Sequence, residues 1–204
     1  MFQLVLITPE ENHPLEAAII TEICQRFEVS IHIRKPSFSA EAYRTYLSVF
    51  DQQTIHRFVL HEHNELSDTF PVKGIHLKEK ERLNVLKEPF HSGIISTSFH
   101  SILDLEGLKD PYSYVFFSPL FESISKQKYG SNTTDVSLRT TLEAIRKHTS
   151  IPVIGLGGID EENVVRVKES GFDGGALLGA VWLSDDPVKT FERIWEKVNA
   201  GAKS

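Results

Sequence analysis

Short apolar runs alternate with segments of helical period along the whole chain. The runs are QLVLIT (3–8), VSIHIR (29–34), RFVLH (57–61), KGIHL (73–77), SGIISTS (92–98), YSYVFFSP (112–119), IPVIGLGG (151–158) and GGALLGAV (174–181), eight in all. Many are rich in Val, Ile and Phe, as strands covered on both faces require. Between them the period lengthens. Leu15, Ile19, Ile23 and Phe27 fall four apart, and Leu138, Leu142 and Ile145 make a second stripe. Val188, Phe191, Ile194, Trp195 and Val198 make a third, opened by Asp186 as N-cap and Pro187 in the first turn. Asp160 is placed to cap the segment EENVVRVKES, and Gly171 to end it. Shorter helices are expected over 62–69, 78–88 and 99–108.

Strand–helix alternation implies parallel strands joined by right-handed crossovers. Eight such units predict an α/β fold, a closed (β/α)8 TIM barrel forming a single domain over residues 1–204. The rival is a doubly wound open sheet. Its nucleotide-binding form wants a glycine fingerprint after the first strand, which ITPEENHP lacks.

Charge and composition narrow the function classes. The formal net charge of −6 argues against a general binder of nucleic acid or anionic membrane. The single Cys24 can form no internal disulfide; its helical position reads as a buried structural thiol in a reducing compartment. The start MFQLVLITPEEN reads as a first strand rather than a signal peptide, and no apolar run is long enough to span a bilayer. A cytoplasmic location is expected.

A barrel of this kind places its chemistry at the C-terminal ends of the strands. In IHIRKP, Ile31 and Ile33 should face one way, His32 and Arg34 the other. A charge turned toward the barrel mouth needs a partner or a ligand, and guanidinium suits phosphate; the alternative is that Arg34 and Lys35 are solvated rim residues. GLGGID (155–160) and the glycine-rich 174–180 segment follow strands seven and eight, where phosphate sites recur in this fold. Glu62, Glu79 and Glu81 lie just beyond strands three and four. Carboxylates from adjacent strand ends can share Mg²⁺, although acids are also favoured at any helix start. His61, His63 and His76 could suggest a transition metal instead, but no tight ligand spacing such as HExxH is present. In STSFHS, Ser98 could cap the next helix, and His100 could act as an acid or base.

Taken in order, IHIRKP, the His61-Glu62 pair, KGIHL, STSFHS, YVFFSPLFESISK, PVIGLGGI and GFDGGALLGAV resemble the thiamine phosphate synthase family, which includes thiazole tautomerases of the TenI type. The resemblance implies a (β/α)8 barrel that joins hydroxymethylpyrimidine diphosphate to hydroxyethylthiazole phosphate, with Mg²⁺ as cofactor and diphosphate as leaving group. It assigns catalytic roles to Arg34, Ser98, His100 and Lys126. It assigns substrate and phosphate contacts to His32, His61, Ser123, Ser125, Gly157, Gly158, Gly179 and Ala180, and the metal to Glu62 and Glu81. Partners would be small phosphorylated molecules, with no nucleic acid or membrane, and a homo-oligomer stays open. His32, Arg34 and Pro36 stand where the family has Gln, Arg and Lys; His61 replaces an Asn, and Glu replaces Asp at both metal positions. Two alternatives follow from the same resemblance. One is metal-independent isomerisation of a thiazole carboxylate phosphate through His100; the other is a non-catalytic binder of thiamine precursors. If only the GGI region counts, a sugar-phosphate isomerase or epimerase remains open. Lys128 and Tyr129 have no assigned role.

Overall fold

The structure, a computed structural model, describes residues 2–82, 93–105, 112–121 and 135–200. Among them are eight parallel strands: β1 Gln3–Ile7, β2 Ser30–Ile33, β3 Phe58–Leu60, β4 Gly74–Leu77, β5 Ile94–Phe99, β6 Tyr114–Phe117, β7 Val153–Leu156 and β8 Gly174–Leu177. They close into a barrel in chain order, and β8 pairs back onto β1 with Leu4 opposite Gly175. The expected (β/α)8 architecture is therefore the observed one. The described helices are α1 Glu16–Arg26, α2 Ala40–Leu47, α3 Gln52–Ile55, α4 Glu79–Arg82, α5 Asp135–Arg146, α6 Val164–Glu169, α7 Gly179–Trp182 and α8 Pro187–Asn199.

Period-two alternation divides the strand side chains between two layers. Leu4, Leu6, Ile31, Ile33, Phe58, Leu60, Ile75, Leu77, Val115 and Phe117 face outward and pack with the helices' buried faces, including Ile19, Ile20 and Ile23 of α1 and Phe191, Ile194 and Val198 of α8. Burying each such side chain contributes roughly 1.5–3 kcal/mol. The inward layer holds Val5, Ile7, Tyr114, Phe116, Ile154 and Ala176 as its apolar part. His32, His61, His76 and Ser96 are also buried, bonded to one another or to Tyr114. The inner layer is thus apolar on the β1, β7 and β8 side and polar on the other.

The termini of the elements follow local chemistry. Asp186 accepts the Lys189 N–H at 3.0 Å, with Pro187 at the first position of α8. Ser39 and Asp51 cap α2 and α3 in the same way. Asp160 accepts the N–H groups of Glu162 and Asn163, one turn ahead of α6. Gly171 leaves α6 at φ +96°, a conformation glycine adopts without penalty.

Three sequence expectations need correction. The last apolar run is not one strand: β8 ends at Leu177 and Gly179–Trp182 turns helical. The segment after β3 is a 3₁₀ turn, Asn64–Asp68, and another, Ile102–Leu105, follows β5. Ser98 caps nothing, because it lies within β5; the hydroxyl of Ser101 instead accepts the Leu103 N–H at 3.2 Å. The rest of the helices expected over 78–88 and 99–108 falls partly outside the described residues.

Cys24 is half-buried in α1, and burial pushes its thiol up to about 12, so it stays protonated and unreactive at neutral pH. No helix of the described residues is long and apolar enough to cross a membrane.

Candidate active site

The loop after β1 and the residues after β2 are locked together beneath the barrel mouth. Lys35, 0% exposed, sends its ammonium to Glu16 Oε2 at 2.9 Å and to the carbonyls of Pro9 at 2.7 Å and Glu11 at 3.3 Å. The Tyr46 hydroxyl donates to Glu16 Oε1 at 2.6 Å, and the His13 N–H to Oε2 at 3.1 Å. Both charges are desolvated, and each depends on the other. Lys35 is therefore not a solvated rim residue.

Arg34 escapes this burial. Its backbone N–H donates to Thr8 Oγ1 at 2.9 Å, which fixes the chain at the end of β2. Its side chain is 39% exposed and its guanidinium pairs with Glu10, itself largely exposed. Such a pair is weak in water, so an anion can compete with Glu10 for the fork.

Next to Glu10 lies a cavity of about 380 Å³, within the size range of small-molecule sites. Gly157, Gly158, Gly179 and Ala180 line it together with Pro9, Leu156, Ile159, Leu178 and Trp182. The four small residues expected at one site therefore do meet. Gly157 and Gly158 carry φ of +101° and +64°. A Cβ on Gly157 would lie 3.1 Å from the Pro119 backbone, so the turn also needs glycine for space. At the glycines only main chain faces the cavity.

The two acidic candidates are joined through one lysine. Glu62 Oε2 accepts the Lys35 N–H at 3.0 Å, and Oε1 lies 3.2 Å from the Lys78 ammonium. Glu81 Oε2 accepts the Lys78 N–H at 2.8 Å, closing the first turn of α4. Their oxygens are hard donors that suit Mg²⁺; the half-exposed Lys78 side chain places its ammonium on Glu62, whereas Glu81 takes the Lys78 main-chain N–H.

Inside the barrel the histidines regroup. His32 Nδ1 and His61 Nε2 are 2.8 Å apart, and His32 Nε2 is 2.5 Å from the Tyr114 hydroxyl. His76 Nδ1 meets Ser96 Oγ at 2.9 Å, and its Nε2 meets Ser98 Oγ at 3.0 Å. The His61 and His76 rings stack at 4.1 Å. His63 is absent from the group; it turns away at φ +53° and bonds the Phe38 carbonyl at 2.9 Å. Burial is the largest cause that drives all three imidazole pKa values down, His76 to about 3. The rings are neutral at pH 7, so His32 and His61 cannot hold phosphate by charge.

That neutrality carries a pH dependence. In the unfolded chain the three histidines protonate near pH 6.5, whereas in the fold they resist protonation. Below that pH the unfolded state binds more protons, so stability falls as pH falls, for His76 down to about 3. The slope is at most about 1.4 kcal/mol per pH unit for each histidine. Urea unfolding in chelator at pH 7.5 and pH 5.5 should show a clearly lower midpoint at pH 5.5, and His76→Asn should flatten the difference. Equal midpoints would refute the buried neutral state.

His100 sits at the surface, with Nδ1 3.1 Å from the Ser118 carbonyl. A carbonyl only accepts, so Nδ1 donates in this bond. Ser123, Ser125 and Lys126, with Lys128 and Tyr129, lie outside the described residues. His76, Tyr114, Glu10 and Lys78 are the participants that motif reading passed over or left unassigned.

Comparison with known proteins extends this geometry. The profile of the family described as "Thiamine monophosphate synthase" matches residues 4–181. The chain belongs to this family. The thiamine-phosphate synthase of Bacillus licheniformis is 28% identical over 150 residues, which is 72% of this chain and 65% of that protein. One from Bacillus cereus is 26% identical over 145 residues, 70% of this chain and 64% of its own length. The chain thus matches slightly less than two thirds of these relatives. The thiamine phosphate pyrophosphorylase of Bacteroides thetaiotaomicron superposes with a TM-score of 0.76 at 28% identity, covering 97% of this chain and 98% of that one. The Pyrococcus furiosus protein of the same name, at TM-score 0.74 and 21% identity, covers 98% and 96% and shares the fold.

Proposed function

We propose that the protein is a thiamine phosphate synthase. It would join a pyrimidine methyl diphosphate to a thiazole phosphate and release diphosphate. The observation that carries this reading is Arg34 beside the glycine-lined cavity, with Glu10 reaching both, inside a barrel of this family. The match to a solved pyrophosphorylase over nearly the whole of both chains supports it.

The reaction needs no protein nucleophile. The bond between the pyrimidine methylene carbon and the diphosphate oxygen breaks, and the electron pair leaves with diphosphate. The thiazole nitrogen lone pair then forms the new carbon–nitrogen bond. Arg34 would bind the diphosphate by exchanging Glu10 for phosphate oxygens and would stabilise the charge that grows on the leaving group. The cavity lined by Gly157, Gly158, Gly179 and Ala180 would seat the thiazole phosphate, with main-chain groups in place of side chains. The apolar Leu156, Ile159 and Leu178 would keep water from the methylene carbon. Glu62 and Glu81 would hold Mg²⁺ by displacing the Lys78 ammonium, and bound there it would neutralise diphosphate charge. The family resemblance would give Ser123, Ser125 and Lys126 contacts to the same anion.

An isomerase acting through His100 Nε2 is the second reading, favoured by the exposure of that side chain. The two separate in one assay. The synthase releases diphosphate only when both substrates are present and survives His100→Ala. The isomerase turns over a single thiazole substrate and loses turnover in that variant.

Gly157→Ala tests the cavity. Forcing a Cβ onto φ +101° costs about 1–2 kcal/mol and displaces the turn that lines the cavity. KM for the thiazole phosphate should rise about tenfold. Gly171→Ala, at φ +96° outside the cavity, is the control: it should lose stability and keep its KM. Equal KM values in both variants would remove the cavity from the account.

A further inference from the structure

We propose that His32, His61 and His76 form a binding site for a divalent transition-metal ion of the Zn²⁺ class inside the barrel, separate from the Glu62–Glu81 pair at its mouth. Three strands contribute: β2 carries His32, β4 carries His76, and His61 follows β3. One ligand nitrogen from each lies within 4.8 Å of the others, and the residues are 0%, 7% and 4% exposed. Packing does not ask for them. The opposite side of the same inner layer is filled by Val5, Ile7, Ile154 and Ala176, the usual aliphatic filling of such a barrel.

The hydrogen bonds suggest which atoms would ligate. A metal-bound imidazole uses its other nitrogen to donate to a fixed partner, which sets the ring's tautomer. His32 Nε2 already faces the Tyr114 hydroxyl, and His76 Nδ1 faces Ser96 Oγ. That leaves His32 Nδ1 and His76 Nε2 for an ion, with His61 Nε2, which now lies 2.8 Å from His32 Nδ1. Those two nitrogens share one proton, and when an ion takes its place the proton moves to the other nitrogen of the ring that carried it. Bonds of about 2.0–2.1 Å require the three nitrogens to draw together. The His61 and His76 rings, 13° from parallel, must rotate out of their stack to do so, and that terminal torsion is soft. Burial helps by keeping the imidazoles neutral, the ligating form. Arg34 and Lys78 oppose an ion through their charge, since both depress the His61 and His76 pKa values. Imidazole ligands without a carboxylate select Zn²⁺, Co²⁺ or Cu²⁺ over Mg²⁺. Three protein ligands leave a fourth position, here on the side of Ser98, which bonds His76 Nε2.

The test titrates the chelator-stripped full-length protein with Co²⁺ alone and reads the visible d–d absorption and the melting temperature. One equivalent should bind with micromolar or tighter affinity, raise Tm, and be displaced by Zn²⁺ but not by excess Mg²⁺. His61→Asn and His76→Asn should each weaken binding at least about tenfold, while His63→Asn and His100→Asn should leave it unchanged. Circular dichroism of each variant reports folding, and the wild-type titration stands without any variant. Absence of a Co²⁺ band and of a Tm shift in the wild type would overturn the proposal, as would full binding in the folded His61 and His76 variants. The readout needs no turnover, so its failure would leave the synthase reading untouched.

Discussion

Arg34→Ala is expected to lower kcat/KM for diphosphate release by about 10²–10³-fold, the usual size for removing a group that stabilises transition-state charge. Its melting temperature should stay within a few degrees of wild type, because the pair with Glu10 is solvent-exposed and contributes at most about 1 kcal/mol. Arg34→Lys should recover only part of the rate, since lysine keeps the charge and loses the planar fork. Glu10→Gln should do the opposite of Arg34→Ala. With its competitor neutralised, Arg34 should bind diphosphate more tightly, and KM for the pyrimidine substrate should fall. Steady-state kinetics on the three variants check the set. An Arg34→Ala enzyme within threefold of wild type would move diphosphate binding elsewhere.

Lys35→Met should instead act on the fold. It strands Glu16, which is 3% exposed, with the Tyr46 hydroxyl and the His13 N–H but without its counter-charge. Breaking a buried pair from one side costs about 3–5 kcal/mol. For a chain of this size that is a fall in Tm of roughly 6–20 °C. The double variant Lys35→Met with Glu16→Gln should regain most of the loss, since no unpaired charge then remains. Urea and thermal unfolding of the single and double variants measure the coupling. A loss below about 1 kcal/mol in the single variant would show that the loop after β1 is held by other contacts. Those two outcomes together would separate a chemical role at Arg34 from a structural one at Lys35 across a single peptide bond.

That division also shows where the sequence stops being readable. The barrel was legible because each strand carries a short apolar run and the long helices an apolar stripe, with Asp186 capping the last of them. The turn after β7 was legible because Gly157-Gly158 can adopt positive φ that other residues avoid. Arg34 was legible because alternation within IHIRKP sets His32 and Arg34 on the face opposite Ile31 and Ile33. The fates of Lys35 and Glu62 were not legible. Whether a charge is buried depends on partners 19 and 27 residues away, which no local spacing encodes. The histidine group was only partly legible for the same reason. His61 and His76 stood out beside His63 but lacked tight spacing, and His32 was not among them, because spacing rules describe one helix or one loop and here the members come from β2, the end of β3 and β4. His63, two positions after His61, looked equivalent and faces elsewhere because its backbone is left-handed. The failed helix expectations fall after β3 and β5. Helical periodicity there covers a single turn, too short a window to separate an α-helix from a 3₁₀ turn.

The direct test of the central claim is product formation by the purified protein. Hydroxymethylpyrimidine diphosphate and hydroxyethylthiazole phosphate are supplied together with Mg²⁺, and thiamine phosphate and diphosphate are quantified. The two products should appear in equal amounts, depend on both substrates, and be lost together in Arg34→Ala. No thiamine phosphate from protein that binds both substrates would contradict it.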